Sequence, residues 1–402
     1  MTAADAPRVL IIVQNLPVPF DRRVWLECLA LRDVGYDVTV ICPQGRGTGA
    51  FQVIDGITIR AYPPYAPGGS ALSYVAEYAY SFTATAYQLA RVRRAGRFQV
   101  MQACNPPDIF WPLAKLLRRV DGTRFVFDHH DLSPELYRSR FPEGARLPLR
   151  GLYALERATF RTADRVTSTN ESYAAIARSR GGKDASRVTV VRTGPDPDRL
   201  KPAEADPDRR RGRRYLVAYI GVMGPQDGVD LALEAANIVV NQLGRTDVSF
   251  TLIGGGDSWD DLVAQRDRLG LQDYVEMPGR VPDEYVISVL SSADLGLSPD
   301  PKNPLNDVST MNKTMEYMAF AMPVVAFDLR ETRVSAADAA RYVPANDVEL
   351  FAKEIVGLLD DAETRAIMGK KGRERIEREL AWQHQRTGYV NVFDELTGRR
   401  ER

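Results

Sequence analysis

Short apolar runs of strand length alternate with amphipathic stretches of helix length along almost the whole chain, and this alternation constrains the fold more than any other feature. Adjacent parallel strands need a crossover between them, so the pattern implies parallel sheets covered by helices. Residues 9–13, Val9-Leu10-Ile11-Ile12-Val13, read as a buried strand, 20–35 as a helix with Val24, Cys28 and Leu31 on one face, and 37–42 as the next strand. Strands at 98–102, 124–128, 165–168 and 188–191 follow, separated by helices near 71–94, 108–119, 148–163 and 171–180. A doubly wound α/β sheet is the expected result.

The alternation breaks at Thr193-Gly194-Pro195-Asp196-Pro197 and through Pro202, Pro207 and the basic run 209–214, which reads as a linker without a regular element. It then restarts with strands at 215–220, 249–253, 274–277, 294–298 and 323–327, and helices near 229–243, 259–269, 283–292, 311–321 and 347–360. From about 364 the chain is polar and helical, apart from Leu380-Ala381-Trp382. At 402 residues the chain also exceeds what one hydrophobic core usually serves. Two tandem Rossmann-like domains are therefore expected, with ligands bound in a cleft outside the carboxyl ends of their strands.

Lysine plus arginine equals aspartate plus glutamate at 53 each, so no global field steers this chain onto nucleic acid, and no nucleic-acid partner is expected. Local basic clusters occur at Arg91, Arg93 and Arg94 and at Arg138, Arg140, Arg146 and Arg150. Both are candidates for peripheral contact with anionic lipid. Tyr74, Tyr78, Phe82 and Tyr87 would add interfacial aromatics to the first cluster; the other reading is a crossover helix packed on its own sheet. Cys28, Cys42 and Cys104 lie in apolar contexts without metal-ligand spacing and read as core residues of a reducing compartment. The N-terminal apolar run is too short for a signal peptide or a membrane span, so a cytoplasmic protein is expected.

Four loops carry chemistry. Gly221-Val222-Met223-Gly224-Pro225-Gln226-Asp227-Gly228 joins a strand to a helix, where glycines let the backbone approach a phosphate and the helix N-terminus offers unpaired N–H donors. A tight turn needing positive φ is the equal alternative. Residues 306–316, Asn306-Asp307-Val308-Ser309-Thr310-Met311-Asn312-Lys313-Thr314-Met315-Glu316, open another helix, with Ser309 or Thr310 as the natural N-cap and Lys313 and Glu316 on one face. A cation in the first turn opposes the helix dipole unless an anion binds there, so Lys313 points to a diphosphate; a surface Lys–Glu pair is the plainer reading. Phe127-Asp128-His129-His130-Asp131 places two of the three histidines beside acids at a strand end, suited to orienting a sugar or simply to capping the strand. No third ligand set with workable spacing joins them, so no metal site is expected. Gly254-Gly255-Gly256-Asp257 lacks the full dinucleotide spacing and reads as a turn lining the cleft.

These residues resemble one family, the group 1 (family four) retaining glycosyltransferases of GT-B fold, in the bacterial branch that makes surface polysaccharide and other glycoconjugates. The resemblance runs from Gln14-Asn15-Leu16-Pro17-Val18-Pro19-Phe20-Asp21-Arg22-Arg23-Val24-Trp25 through Gly279-Arg280-Val281-Pro282 and Lys313-Thr314-Met315-Glu316-Tyr317-Met318-Ala319 to Pro323-Val324-Val325-Ala326. It implies an acceptor-binding domain over 1–195, a nucleotide-sugar-binding domain over 196–375, and a terminal segment, 376–402, whose helix, near Trp382, crosses back to the first domain. It implies a nucleotide-diphosphate-sugar co-substrate, no other cofactor, and a glycan, lipid-linked or small-molecule acceptor.

Position by position, Glu316 resembles the family glutamate that holds the donor ribose. Ser309, Thr310, Asn312 and Asp307 stand in the loop that would cradle the diphosphate, with Gly221 and Gly224 in the glycine turn. Arg280-Val281 resembles the segment that meets the base. His130, beside His129 and Asp131, resembles the histidine that contacts the transferred sugar. The chain departs from the family in the glycine turn, where Val222 or Met223 and Asp227 replace the usual Arg and Lys, and at Val308, where a first glutamate is usual. Lys313, helped by Arg192 or Lys302, is the expected substitute for the missing cations. A nucleotide-sugar 2-epimerase of the same fold and a non-catalytic scaffold with a degenerate donor site are the rival readings.

Overall fold

The computed structural model describes residues 6–65, 71–141, 146–196 and 200–399, with the side chains of Ala71, Leu72 and Tyr74 outside the described set. The chain divides into two compact units, Met1–Thr193 with Gln385–Arg402, and Gly194–His384. Each is built on its own sheet.

In the first unit the strands are β1 (Arg8–Ile12), β2 (Asp37–Pro43), β3 (Phe51–Ile54), β4 (Ile57–Tyr62), β5 (Val100–Cys104), β6 (Arg124–His129), β7 (Arg165–Ser168) and β8 (Val188–Val190). Their order is β3-β4-β2-β1-β5-β6-β7-β8, parallel except for β3. Val9, Leu10, Ile11 and Ile12 are all fully buried, because β1 is central and helices cover both faces. The order reverses direction between β1 and β5, which marks the switch point of this sheet. Helix Arg22–Asp33 begins there, its first turn capped by the Asp21 carboxylate accepting from the Val24 N–H at 3.1 Å.

The second unit contains β9 (Tyr215–Val222), β10 (Val248–Gly255), β11 (Val275–Gly279), β12 (Leu295–Ser298), β13 (Val324–Phe327) and β14 (Ala340–Val343). Their order is β11-β10-β9-β12-β13-β14, with every pairing parallel. Its switch point lies between β9 and β12. The hairpin β3–β4 and strand β14 are absent from the sequence-based expectation. Phe51 and Val53 are exposed in the edge strand β3, so it carries no buried apolar run to announce it.

Part of the segment read as a linker packs on the second unit. Pro207–Arg210 form a 3₁₀ turn capped by Asp206, Arg209 stacks over Tyr285 at 3.9 Å, and Arg210 pairs with Asp294 at 2.7 Å. Arg209 and Arg210 are thus held by partners distant in sequence, which corrects that reading.

Helix Trp382–Thr397 is the last helix among the described residues. Tyr389 and Phe393 are fully buried in the first unit, the Tyr36 hydroxyl donates to Asp394 at 2.7 Å, and Arg386 pairs with Asp33 at 3.0 Å. Among the described residues no helix is long and apolar enough to cross a membrane. Helix Ala71–Val92 packs Tyr80 and Phe82 against the core of the first sheet and leaves Tyr87 exposed, with Arg91 over the Tyr87 ring at 5.7 Å and Arg93 paired with Asp121 at 2.7 Å.

Candidate functional site

The switch point of the second sheet gathers most of the residues singled out for a diphosphate. Near the end of strand β9, Gly221 has a φ of 157° and crowded surroundings that suit glycine: a Cβ there would lie 2.9 Å from the Tyr219 hydroxyl and 3.2 Å from Lys313 Cε. Gly254, at the end of β10, would drive a Cβ to 1.8 Å from the Gly221 carbonyl oxygen. The two glycine turns therefore lie backbone against backbone. Asp227 folds back on its own turn and accepts from the Gly224 N–H at 2.9 Å.

Lys313 is the second residue of helix Asn312–Ala319. Its Nζ donates to Asp300 Oδ1 at 2.5 Å, and the other Asp300 oxygen accepts from the Ser298 hydroxyl at 2.7 Å. Lys313 and Asp300 are only 8% and 1% exposed, and the Tyr219 ring lies 5.2 Å from the ammonium. Burial alone would lower the Lys313 pKa; Asp300 and Asp227 outweigh it and leave the pKa raised, so the ammonium keeps its charge. An i, i+3 partnership with Glu316 is not its main contact, because Asp300 follows β12 directly and reaches the ammonium first. Asp300 was missed in the sequence, although an acid just beyond a strand end, at a switch point, was a signal available to find it.

The expected N-cap is also corrected. The helix starts at Asn312 with Met311 as N-cap and no side-chain cap, while the Ser309 hydroxyl donates back to the Leu305 carbonyl at 2.7 Å and closes the 3₁₀ turn Asn306–Val308. Asn306 ties this turn to the glycine loop through bonds to the Gln226 and Pro301 carbonyls, both at 2.8 Å. Asp307 accepts from the Arg330 N–H at 3.1 Å and lies 3.6 Å from Lys302. Thr310 and Glu316 are half-buried and Asn312 is exposed. Arg280 is exposed just past β11 with its side chain beside Gly255, and Val281 is half-buried.

In the first unit the strand ends hold a buried charged network. Asp128, at the end of β6, is 0% exposed and accepts from Arg23 Nη2 at 2.7 Å, Arg23 Nε at 3.0 Å and the Thr167 hydroxyl at 2.8 Å, with His130 Nδ1 also at 2.8 Å. Burial pushes Glu27 up to about 8, and Asp128 adds to it against the pull of Arg23 and a Gln102 hydrogen bond. Glu27 therefore holds its proton at neutral pH while Asp128 carries the negative charge. Gln102 donates to Glu27 at 2.7 Å and accepts from the Tyr389 hydroxyl at 2.8 Å. Arg23, Glu27 and Gln102 were not anticipated, though a charged i, i+4 pair on the apolar face of helix Arg22–Asp33 is the trace they leave in the sequence.

The Asn105 side chain fixes the next loop, accepting from the N–H groups of His130 at 2.9 Å and Asp131 at 3.1 Å and donating to the Asp131 carbonyl at 2.7 Å. Asp131 is half-buried, and burial raises its pKa. His129 points the other way: fully buried among Phe127, Phe160 and Tyr173, both ring nitrogens lack a hydrogen-bond partner. It offers no atom to a substrate, because alternation along β6 sends it to the covered face, and its assignment to the site is withdrawn. Arg192 belongs to the first unit and is half-buried, its backbone N–H donating to Gln385 Oε1 at 3.3 Å. Cys104, Asp128 and His130 bring ligand-type atoms within 4.8 Å of one another, but the Arg23 guanidinium already occupies both Asp128 oxygens.

Two family models match the sequence, the glycosyl transferase 4-like domain over residues 21–194 and the glycosyl transferases group 1 over residues 214–361. A phosphatidyl-myo-inositol mannosyltransferase of Mycolicibacterium smegmatis is 30% identical over 193 residues, 47% of each chain. The alignments span 47% and 60% of two such curated relatives' own lengths. Among solved structures, the sucrose-phosphate synthase of Thermosynechococcus elongatus superposes with a TM-score of 0.78 at 15% identity, over 98% of this chain and 99% of that one. Anabaena Alr3699/HepE, solved with UDP and glucose, gives 0.72 at 15% identity over 97% and 100%.

Proposed function

Because the chain belongs to the group 1 glycosyltransferases, with the two Rossmann-like units of the GT-B fold, we propose that it moves a sugar from a nucleoside-diphosphate donor to an acceptor in bacterial glycoconjugate synthesis, with retention at the anomeric carbon. The observation that carries this reading is the buried, charged Lys313 in the first turn of an uncapped helix, at the switch point of the second sheet and beside the Gly221 turn. An ammonium has three N–H donors, and Asp300 takes one. Two remain for phosphate oxygens, and the first-turn N–H groups of the helix supply further donors and a partial positive charge.

In this reading Gly221, Gly224, Ser309, Thr310, Asn312 and Asp307 surround the diphosphate. Glu316 takes the ribose and Arg280-Val281 the base. His130 and Asp131, at the strand ends of the first unit, meet the transferred sugar and the acceptor, with Arg192 in the same unit. The leaving group needs its charge met rather than a protein nucleophile, so positioning and electrostatic stabilisation supply most of the rate, and a donor phosphate oxygen takes the acceptor proton. A cytoplasmic location, with peripheral contact to a membrane bearing a lipid-linked acceptor, fits this chemistry.

Titration calorimetry with a panel of nucleoside diphosphates tests the reading. One of them binds to wild-type protein and binds more weakly to Glu316→Ala. A protein that binds none is a scaffold of the same fold.

A further inference from the structure

We infer that Asp128 is the positioning residue for His130: it fixes the imidazole in the Nδ1–H tautomer and leaves Nε2 as the ring atom offered to the substrate. The inference rests on the role proposed above for His130, but the arrangement is a property of the free protein. Residues i and i+2 of an extended segment share a face, so the His130 ring returns over the Asp128 carboxylate at the end of β6. The Nδ1 to Oδ2 distance is 2.8 Å. An ionised carboxylate only accepts hydrogen bonds, so Nδ1 must carry the hydrogen.

Asp128 is ionised because of what surrounds it. Burial opposes its charge, yet Arg23 and His130 hold its pKa far below the usual carboxylate range. Arg23 cannot drift away. Its Nη1 donates to the Val191 carbonyl and the Thr193 hydroxyl, both at 2.9 Å, and its Nε lies 3.1 Å from the Glu27 carboxyl. Thr167 holds Asp128 Oδ1 from β7, and Asn105 fixes the His130 backbone from the end of β5. The ring is thus oriented from four separate elements of the first unit.

Asp128 and Asp21 favour the ring's protonated form and Arg23, with burial, opposes it; Glu27, Asp131 and His129 also act on the ring, and the net effect raises the His130 pKa. Above that pKa, Nε2 accepts from a sugar or acceptor hydroxyl, and below it Nε2 donates.

Imidazole 15N NMR of the wild-type protein decides the matter, since the chain has only 3 histidines to assign. The expected spectrum shows His130 protonated at Nδ1 with an unprotonated Nε2 once the ring is neutral. An Nε2–H tautomer, or a rapidly exchanging mixture, would overturn the inference whether or not any turnover has been found. In Asp128→Asn the His130 pKa should fall by roughly one unit or more, and kcat by about tenfold or more, with donor KM changed less than about twofold. Asp128→Glu should recover part of kcat. A folded Asp128→Asn variant with unaltered His130 pKa and kcat contradicts the proposal. If that variant does not fold, the wild-type tautomer still decides.

Discussion

The Lys313 ammonium is the buried cation beside the Gly221 turn, where Asp227 instead turns back on the Gly224 N–H. Helix N-termini contribute only about 0.3–1 kcal/mol each toward an anion, too little to stabilise a departing diphosphate alone. Lys313→Met keeps length and removes charge. It should lower kcat by roughly one hundred- to one thousand-fold, as for loss of one preorganised donor, with a smaller change in donor affinity. Near wild-type kcat in the folded variant would place the neutralising charge elsewhere. Glu316→Ala should weaken donor binding by about 1–3 kcal/mol without unfolding the chain. His129 belongs to stability instead. Burial, reinforced by Arg180, lowers its pKa to about 3, below the value near 6.5 expected when unfolded. As pH falls between those values only the unfolded chain binds the proton, so stability is lost by at most about 1.4 kcal/mol per pH unit. Urea midpoints measured against pH should decline less steeply in His129→Phe. Parallel curves for the two proteins would contradict this.

At the scale of elements, the turns after β9 and β10 form one support. Gly254 has a φ of 148° and no room for a Cβ beside the Gly221 carbonyl, so Gly254→Ala must move both turns. A cost of about 2 kcal/mol or more is expected, which lowers the melting temperature of a domain this size by roughly 4–8 °C, with donor binding lost in parallel. Unchanged melting would show that the turns are less tightly coupled. Most strands and helices were legible because central parallel strands such as β1 are continuous apolar runs. The edge strand β3 was not, because its Phe51 and Val53 face solvent and its period resembles that of a loop. The arginine run at 209–214 misled for a related reason: composition suggests a solvated linker, whereas Tyr285, Ser288 and Asp294, which pair with Arg209 and Arg210, lie about 80 residues away.

Across the whole molecule, the family and the two sheets were legible from motifs near strand ends, while the partners inside each site were not. Lys313 stood out by its position in a helix, but Asp300 could be matched to it only through the crossover from β12 to that helix. The pairing of Asp128 with Arg23 spans 105 residues and leaves no local pattern. With Asp227 and Asp300 near the buried Lys313 ammonium, and Arg23 occupying the acidic cluster of the first unit, turnover is expected to persist in EDTA; loss in EDTA with restoration by magnesium or manganese would contradict that. The most direct test of the central claim is mass spectrometry of products after incubating wild-type protein with a panel of nucleotide-sugars and lipid extract of the source organism. The account predicts a nucleoside diphosphate together with an acceptor heavier by one sugar residue. Free epimerised donor formed without acceptor, or no consumption of any donor alongside no nucleotide binding, would contradict it.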